Sequence, residues 1–493
     1  MVQAHGDRLT AIDASFLAQE GSDAHMHVGA VMIFDGPPPE YEALCDHVRT
    51  RLHLVPRFRH KLAFPPLETG RPLWVDDPSF NLEYHVRDTA LPTPGSEAQL
   101  RALAARVHSQ ALDRSKPLWE MWLVQGLEGG RFALVSKTHH ALVDGVAGVD
   151  LATVLFDLSP VPAAVEHPAE PWTPRPTPGG LELAARGVRG LVRLPLAATG
   201  RAADAASHPA EALHATREAL EGLGELVWAG LNPAPETPLN VEIGPHRRLV
   251  WVRHELADFK RVKNALGGTV NDVVLAVVAG ALQKWLRSRG VSTEGLELRA
   301  LVPVSIRARG DQLQLGNRIA AMRGPLPVYV EDPVARLRVV RQAMDGLKES
   351  KQALGAEVLA GMQALAPPTI FAQASRVNFS TRLFNLLVTN VPGPQLPLYV
   401  LGRPLRDLFP IAFLPHRHAL AVAIMSYDGG MDFGLLGDYD AMPDLEAMGT
   451  MVGASLAELL AAAGEPTENG AAPVSTRART SRPRTSSRAS TEA

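Results

Sequence analysis

The stretch FALVSKTHHALVDGVAG, residues 132–148, decides how the rest of the chain is interpreted. Residues 132–138 form a run typical of a strand, and residues 148–158 have the pattern of a helix. Between these two segments stand His139, His140, Asp144 and Gly145. Loops that follow strands commonly carry reactive side chains, because the strand holds them in a fixed position. The stretch therefore predicts a functional site at a strand end.

The two adjacent histidines are expected to have different roles. Neighbouring residues on a strand point to opposite faces, so only one imidazole is expected to enter a given cavity. The unperturbed pKa of histidine, about 6.5, suits it to take a proton from an attacking alcohol. A thioester carbonyl is already activated, and the chain has no G-x-S-x-G motif, which weakens a serine-hydrolase interpretation. The residues alone leave open that both histidines are simply packed at a strand end.

Composition and motifs exclude several other classes of function. The net charge of −3 gives no general attraction to nucleic acid. The chain has no H-E-x-x-H or paired-cysteine motif, and a second pair, His416 and His418, cannot be placed beside the first from sequence, so no metal is expected. Without a Walker loop or a G-x-G-x-x-G motif, a bound nucleotide cofactor is not expected either.

The alternation of helical and strand-like segments predicts an α/β or α+β fold with two globular parts. In residues 1–158 we expect strands at 27–34 and 132–138 and helices at 41–52 and 96–110. Residues 159–246 should form a crossover, because 159–180 contain seven prolines and 181–231 are helical with several arginines. Those helices could form an ordinary basic surface or lie on an anionic membrane.

Residues 247–463 should form the second globular part. A helix is predicted at 269–290, with Asn271 or Asp272 near its start, and a hairpin is predicted around residues 428–430. Residues 464–493 are low in complexity and basic, which is typical of a disordered tail.

Several features favour the cytoplasm. The single cysteine, Cys45, fits a reducing compartment, and the N-terminal segment lacks an apolar core of signal-peptide length. No apolar run approaches the roughly 18 residues that cross a bilayer, so any membrane association is expected to be peripheral.

Several motifs together resemble the bacterial wax ester synthase/diacylglycerol acyltransferase family, within the HHxxxDG acyltransferase superfamily that includes chloramphenicol acetyltransferase and peptide-synthetase condensation domains. HHALVDG at 139–145 matches the superfamily signature. The motifs that narrow the resemblance are DASF at 13–16, HVGAVMIFDG at 27–36, YHVR at 84–87, PLWEMWLVQGL at 117–127, TVNDVVLA at 269–276, PVSIR at 303–307, GN at 316–317 and TNVPGP at 389–394. The resemblance covers residues 9–463.

The resemblance implies two chloramphenicol-acetyltransferase-like α/β halves that face each other across a tunnel. It implies transfer of a fatty acyl group from acyl-CoA to diacylglycerol or a long-chain alcohol, which would give triacylglycerol or wax ester. No metal or prosthetic group is implied. The protein is expected to be cytoplasmic and peripherally associated with the inner membrane or with lipid inclusions, and both products remain open.

Residue by residue, the resemblance makes His140 the general base and His139 a structural support. Asp144 is expected to hold the loop by pairing with an arginine, for which Arg307 is the candidate. Asn271 is expected either to donate a hydrogen bond to the developing oxyanion or simply to cap its helix.

Two alternative functions are open at this point. One is a condensation-type acyltransferase that takes its acyl group from a carrier protein, although no carrier domain is attached to this chain. The other is a non-catalytic protein that coats lipid droplets, which the intact HHxxxDG motif disfavours.

Overall fold

The computed structural model describes residues 7–66, 70–142, 155–162, 171–183, 232–305, 319–349 and 379–464. The helices are α1 (Ala11–Gln19), α2 (Tyr41–Arg49), α3 (Leu82–His85), α4 (Glu97–Ser109), α5 (Leu256–Leu266), α6 (Val270–Ser288), α7 (Pro333–Glu349) and α8 (Leu445–Ala462). The strands are β1 (His27–Phe34), β2 (His60–Ala63), β3 (Leu73–Asp76), β4 (Val86–Ala90), β5 (Trp119–Leu127), β6 (Arg131–His139), β7 (Arg247–Glu255), β8 (Leu298–Ser305), β9 (Ile319–Leu326), β10 (Leu386–Pro392), β11 (Tyr399–Val400), β12 (Arg403–Ile411), β13 (Leu420–Tyr427) and β14 (Gly430–Asp438).

Two six-stranded mixed sheets form the framework, which confirms the α/β prediction. The first sheet has the strand order β11-β12-β1-β6-β5-β4, and the second has the order β7-β14-β13-β10-β8-β9. Strands β2 and β3 form a separate two-stranded ribbon. Both large sheets combine antiparallel hairpins with parallel pairs, as expected where helices connect strands across a sheet face.

The two sheets repeat one arrangement of four strands. In the first, β1 lies antiparallel to β6, β6 forms a hairpin with β5, and β5 lies parallel to β4. In the second, β7, β14, β13 and β10 are related in the same way. In this correspondence β6 matches β14. The fold thus contains two similar halves, one built around each sheet.

The first sheet is completed by chain from the second globular segment. Strand β12 lies antiparallel to β1, with Gly29 opposite Ile411, and β11 continues the sheet beyond β12. Residues 399–411 belong to the predicted second segment, 247–463, but their strands lie in the first sheet. Local sequence patterns do not specify this long-range strand pairing.

Several local predictions are confirmed by the positions of the elements. The predicted strand at residues 27–34 is β1, and the predicted helix at 96–110 is α4, whose N-cap Ser96 forms a capping box with Gln99. The predicted hairpin is β13–β14, with positive φ at Asp428 and Gly429, as a two-residue turn between antiparallel strands requires.

The start of α6 corrects one of the interpretations of Asn271. The N-cap is Thr269, whose hydroxyl accepts from the backbone N–H of Asp272, and the Asp272 carboxylate accepts from the backbone of Thr269. Asn271 therefore does not cap this helix. The rest of α6 is almost entirely buried, because its apolar residues surround the helix on all sides rather than forming one stripe.

Helix α8 corrects the expectation that no apolar segment is long enough to cross a membrane. By length and composition α8 could do so, and α5 and α6 pass the same test together as one span bent by 99°. In the fold, however, α8 buries residues such as Met448, Val452 and Leu456, and it packs against α6 and β7. These are the contacts of a core helix in a globular protein.

Some sequence predictions concern residues outside the described ranges. They include the first part of the predicted helix at 148–158, much of the crossover at 159–246 and the tail from residue 465. Within the described part of the crossover, Arg175 donates hydrogen bonds to the carboxylate of Asp76.

Candidate active site at the end of β6

The two histidines diverge at the end of β6. The strand ends at His139, and His140 begins a short 3-10 turn, His140–Leu142. The backbone N–H of His139 donates to the carbonyl of Leu118 (3.0 Å), whereas that of His140 donates to the carbonyl of Met26 (2.9 Å). The turn, rather than continued strand alternation, therefore separates the two rings.

His139 is built into the core. It is 0% exposed, its Nδ1 accepts from the backbone N–H of Ala141 (3.0 Å), and its Nε2 lies 3.3 Å from the carboxylate of Glu20. Arg114 also donates to this carboxylate, from its Nε (2.7 Å). Nδ1 of His139 thus fixes the turn that carries His140, while Nε2 faces the carboxylate of Glu20.

The Glu20 carboxylate stays ionised despite its surroundings. Burial alone would raise its pKa, but the hydrogen bonds and charges of His139 and Arg114 together hold that pKa below its usual value. A charged Glu20 favours a proton on the facing Nε2 of His139. The tautomer follows, since Nδ1 must then be the acceptor for Ala141.

His140 is held between aromatic rings from both halves of the fold. Its ring stacks on Phe16 of α1, with centroids 3.8 Å apart and an interplanar angle of 21°. Phe413, which follows β12, contacts it edge-on at 5.4 Å. Phe379 in turn packs 5.9 Å from each of these two phenylalanines. His140 remains only half-buried, so these rings leave part of the residue accessible.

The aromatic surroundings set the charge of His140. Desolvation is the main cause that lowers its pKa, the nearby His139 adds to it, and the backbone carbonyl of His140 opposes both to a smaller extent, which leaves the pKa at about 4. The imidazole is therefore neutral at neutral pH, which is the protonation state that a general base requires.

The second half contributes Asn271 through a separate contact. Its Oδ1 accepts a hydrogen bond from Nδ2 of Asn390 on β10 (3.2 Å). This contact joins two of the quoted motifs, TVNDVVLA and TNVPGP, and it lies within the second half rather than at either histidine. Asp144 and Arg307 lie outside the described residues, so their pairing stays a prediction.

The structure adds site residues that the sequence did not identify. Phe16 and Asn390 lie in the quoted motifs DASF and TNVPGP but had no individual role, and Glu20 and Phe413 were not considered. Helical spacing from Phe16 to Glu20 could have placed both on the side of α1 that meets the histidines. No local signal could have indicated Phe413, because it reaches the site through the crossover of β12.

Comparison with solved structures first defines the class. The first condensation domain of the CDA synthetase has a TM-score of 0.57 and 16% identity, with 94% of this chain and 98% of that chain covered. This likeness shows the fold. The two-sheet, two-half architecture is that of the condensation domains, as the resemblance implied.

More similar proteins define the family. The wax ester synthase/diacylglycerol acyltransferase catalytic domain matches residues 9–274, and the C-terminal domain of the same family matches residues 315–460. A probable diacylglycerol O-acyltransferase of Mycobacterium tuberculosis is 33% identical, with 92% of this chain and 96% of the relative covered. The wax ester synthase/diacylglycerol acyltransferase of Marinobacter aquaeolei VT8 has a TM-score of 0.65 at 28% identity, with 93% of this chain and 100% of that chain covered.

The chain therefore belongs to the wax ester synthase/diacylglycerol acyltransferase family. The predicted family and the predicted class of enzyme, an acyltransferase, are both confirmed.

Proposed function

We propose that this protein transfers a fatty acyl group from a coenzyme A thioester to the hydroxyl of diacylglycerol or of a long-chain alcohol. The products are triacylglycerol or wax ester with free coenzyme A. The observation that carries the proposal is a neutral, half-buried imidazole, His140, held at a strand end by a fully buried one, His139.

The proposed chemistry uses Nε2 of His140. Its Nδ1 is buried, which leaves Nε2 as the nitrogen that meets the substrate. Nε2 takes the hydroxyl proton while the hydroxyl oxygen attacks the thioester carbonyl carbon. The tetrahedral intermediate then collapses, the carbon–sulfur bond breaks, and the imidazolium returns its proton to the departing thiolate. No protein nucleophile or redox partner is needed to balance this reaction.

The low pKa of His140 favours the second proton transfer. A thiol has a pKa of about 8.5, far above the value of about 4 for His140, so protonation of the thiolate by the imidazolium is strongly downhill. The first transfer is correspondingly unfavourable by itself. Proton removal must therefore accompany attack on the carbonyl, in a single general-base step.

Asn271 is proposed as the hydrogen-bond donor for the oxyanion. Its Oδ1 accepts from Asn390, which orients the amide, and within the described ranges its nitrogen has no acceptor, so it can donate to the oxyanion. A positioned donor of this kind lowers the barrier because it stabilises charge that exists only in the intermediate and the flanking transition states.

We also propose where the protein works and what it requires. Its substrates are acyl-CoA, which is soluble, and diacylglycerol or a long-chain alcohol, which partition into lipid. A cytoplasmic enzyme that associates peripherally with the inner membrane or lipid inclusions would meet both. The reaction is expected to need no metal and no bound cofactor, since a neutral imidazole and an activated thioester suffice.

The test is the identification of the lipid product. Purified protein would be given palmitoyl-CoA with either hexadecanol or diacylglycerol, while free thiol and labelled lipid are both measured. We expect thiol release and ester formation to be equal. Both should be lost in His140→Ala and retained in the control His53→Ala, which changes a half-buried histidine between α2 and β2. Hydrolysis without ester formation, or transfer only from an acyl carrier protein, would contradict the proposal.

A further inference from the structure

A cavity lies between the two halves, near the end of β14. Its volume is about 530 Å³, which is within the range of small-molecule sites. One wall is α4 of the first half, and the opposite wall is the beginning of β7 with the chain that follows β14. We call it the seam pocket and define it by six of its lining residues: Arg101, Arg106, His246, Arg247, Arg248 and Glu446.

The position of the seam pocket follows from the repeated arrangement of strands. His27 at the start of β1 lies opposite His139 at the end of β6, and Arg247 at the start of β7 lies opposite Asp438 at the end of β14. The residue after Asp438, Tyr439, lines the seam pocket. The pocket is therefore at the place in the second half that the candidate active site takes in the first.

The charge of the seam pocket is strongly one-sided. Its lining contains four arginines against a single carboxylate, that of Glu446, and one of the four, Arg247, pairs with the buried Asp438 behind the wall (3.8 Å). Glu446 lies 3.6 Å from Arg101, and its side chain is 79% exposed, so it neutralises little of the positive charge. Within the described residues, no carboxylate pairs with the exposed Arg106. A cleft lined by one sign of charge concentrates ions of the opposite sign.

The arginines differ in their freedom to bind a ligand. Arg247 is buried and donates to the carbonyls of Gly244 (2.6 Å) and His246 (3.0 Å), so it supports the wall. Arg248 is placed by Tyr439, with its guanidinium carbon 3.9 Å above the ring and its Nε on the carbonyl of that residue (2.7 Å). Among the residues that the structure describes, its two terminal nitrogens have no hydrogen-bond acceptor, so they are available as donors.

Small side chains keep the seam pocket open. Ala98, Ala102 and Ala105 lie on the face of α4 that lines the pocket, at the three- and four-residue spacing of one helical face. The same face carries Arg101 and Arg106, so donors from α4 and from β7 border one empty space. Arginine is the side chain best suited to phosphate, because its planar donors match two phosphate oxygens.

We propose that the seam pocket binds the phosphate groups of a ligand between Arg101 and Arg106 of α4 and Arg248 of β7. The ligand is either the phosphorylated nucleotide part of a coenzyme A thioester or the headgroup of an anionic phospholipid. The coenzyme A thioester as ligand rests on the proposed function, whereas the phosphate site itself does not.

The site is tested by direct binding of pyrophosphate and of adenosine 3′,5′-bisphosphate to the full chain, measured by calorimetry. Wild-type protein should bind both saturably, and less tightly as salt is raised. Arg106→Glu should weaken binding by about tenfold or more, because it replaces a phosphate donor with a repelling carboxylate. Ala102→Leu should weaken it as well by filling the space, while Arg338→Ala, an exposed arginine on α7, should not.

Two further measurements distinguish the sources. If the ligand is the coenzyme, Arg106→Glu raises KM for palmitoyl-CoA with little change in kcat or in KM for the acceptor. If it is a headgroup, the variant loses binding to phosphatidylglycerol vesicles but not to phosphatidylcholine vesicles, and KM for palmitoyl-CoA is unchanged.

Different results would contradict the phosphate site and the proposed acyl transfer. Active protein that binds no pyrophosphate, or binds it equally well as Arg106→Glu, would overturn the phosphate site alone. Protein that binds pyrophosphate through Arg106 but forms no ester would instead overturn the proposed function.

Discussion

The ends of β6 and β14 are equivalent positions in the two halves, and they carry different chemistry. In both, the last paired residue is buried: His139 is 0% exposed and Asp438 is 1% exposed. Each fixes the turn that follows, His139 through Ala141 and Asp438 through the backbone N–H groups of Asp440 and Ala441. The two halves thus use one design for the turn, with an imidazole in one and a carboxylate in the other.

The residues that follow these strand ends differ in their surroundings. His140 is covered by Phe16 and Phe413 and loses solvation, whereas Tyr439 is 45% exposed and has an arginine over its ring. An apolar cover produces a neutral base, and an open basic wall produces an anion-attracting pocket. The backbone thus sets where a residue is presented, and its neighbours decide its chemistry there.

The largest expected effect is the loss of the base at the end of β6. His140→Ala should lower kcat by about 10²- to 10⁴-fold, because the variant loses the imidazole that takes the hydroxyl proton. The release of coenzyme A and the formation of ester would be measured together. A comparable loss in the control His53→Ala, or full activity in His140→Ala, would remove the distinction between the two strand ends.

A second prediction tests whether Asn271 of the second half contributes to catalysis at His140 of the first. Asn271→Ala should lower kcat by about 10²-fold, because the oxyanion loses its donor. KM for palmitoyl-CoA should change little. Asn390→Ala, which frees the Asn271 amide to turn, should give a smaller loss in kcat. If Asn271→Ala instead changed only stability, its role would be confined to the contact between α6 and β10.

His139→Ala tests the buried position at the end of β6. The variant removes the imidazole from the buried Glu20 carboxylate and leaves Arg114 as its remaining partner, which should cost about 1–3 kcal/mol of unfolding free energy. Urea unfolding followed by circular dichroism would measure the loss. An unchanged unfolding midpoint together with abolished turnover would assign His139 a direct role in proton transfer.

Asp438→Asn tests the equivalent buried position at the end of β14. Asp438 accepts from three backbone N–H groups, including that of Gly244 (2.8 Å), and an amide nitrogen would face one of them as a second donor. The expected loss is about 1–3 kcal/mol, measured by the same unfolding experiment. Turnover per folded molecule should be retained, in contrast to His140→Ala.

The smallest effect concerns the pH profile. A general base works when neutral, so kcat/KM should fall as the pH drops through the His140 pKa of about 4. This acidic limb of the profile should be level above a pH of about 6. Phe16→Ala admits water to the ring and should move the limb upward by about one unit. Phe16→Leu keeps the ring covered and should leave the limb in place. A limb near 6.5 in the wild type would contradict the proposed desolvation.

Much of the fold and one part of the site could be predicted from sequence. The strand at residues 27–34, the helix at 96–110 and the glycine turn at 428–430 follow from local patterns, and the structure has them. The divergence of His139 and His140 was expected, although its cause is the turn that begins at His140.

The contacts that bring the second half to the site were beyond sequence reasoning. Phe413 lies more than 270 residues after His140, and Phe16 precedes it by more than 120. Their meeting depends on the pairing of β12 with β1, and alternation within a strand says nothing about its partner. The N-cap of α6 is Thr269, two residues before Asn271. Sequence alone does not separate them, because Thr, Asn and Asp are all common near helix starts.

The pairing of β12 with β1 also sets the order in which the protein can mature during synthesis. When the ribosome has released residues 1–158, β1 still has one unpaired edge, and its partner at residues 403–411 has yet to be translated. An exposed strand edge invites pairing with other chains. The nascent first half must therefore be protected over some 240 residues of further elongation, a delay of about 12 to 50 seconds at bacterial rates. A fragment that stops before residue 403 should accumulate in inclusion bodies.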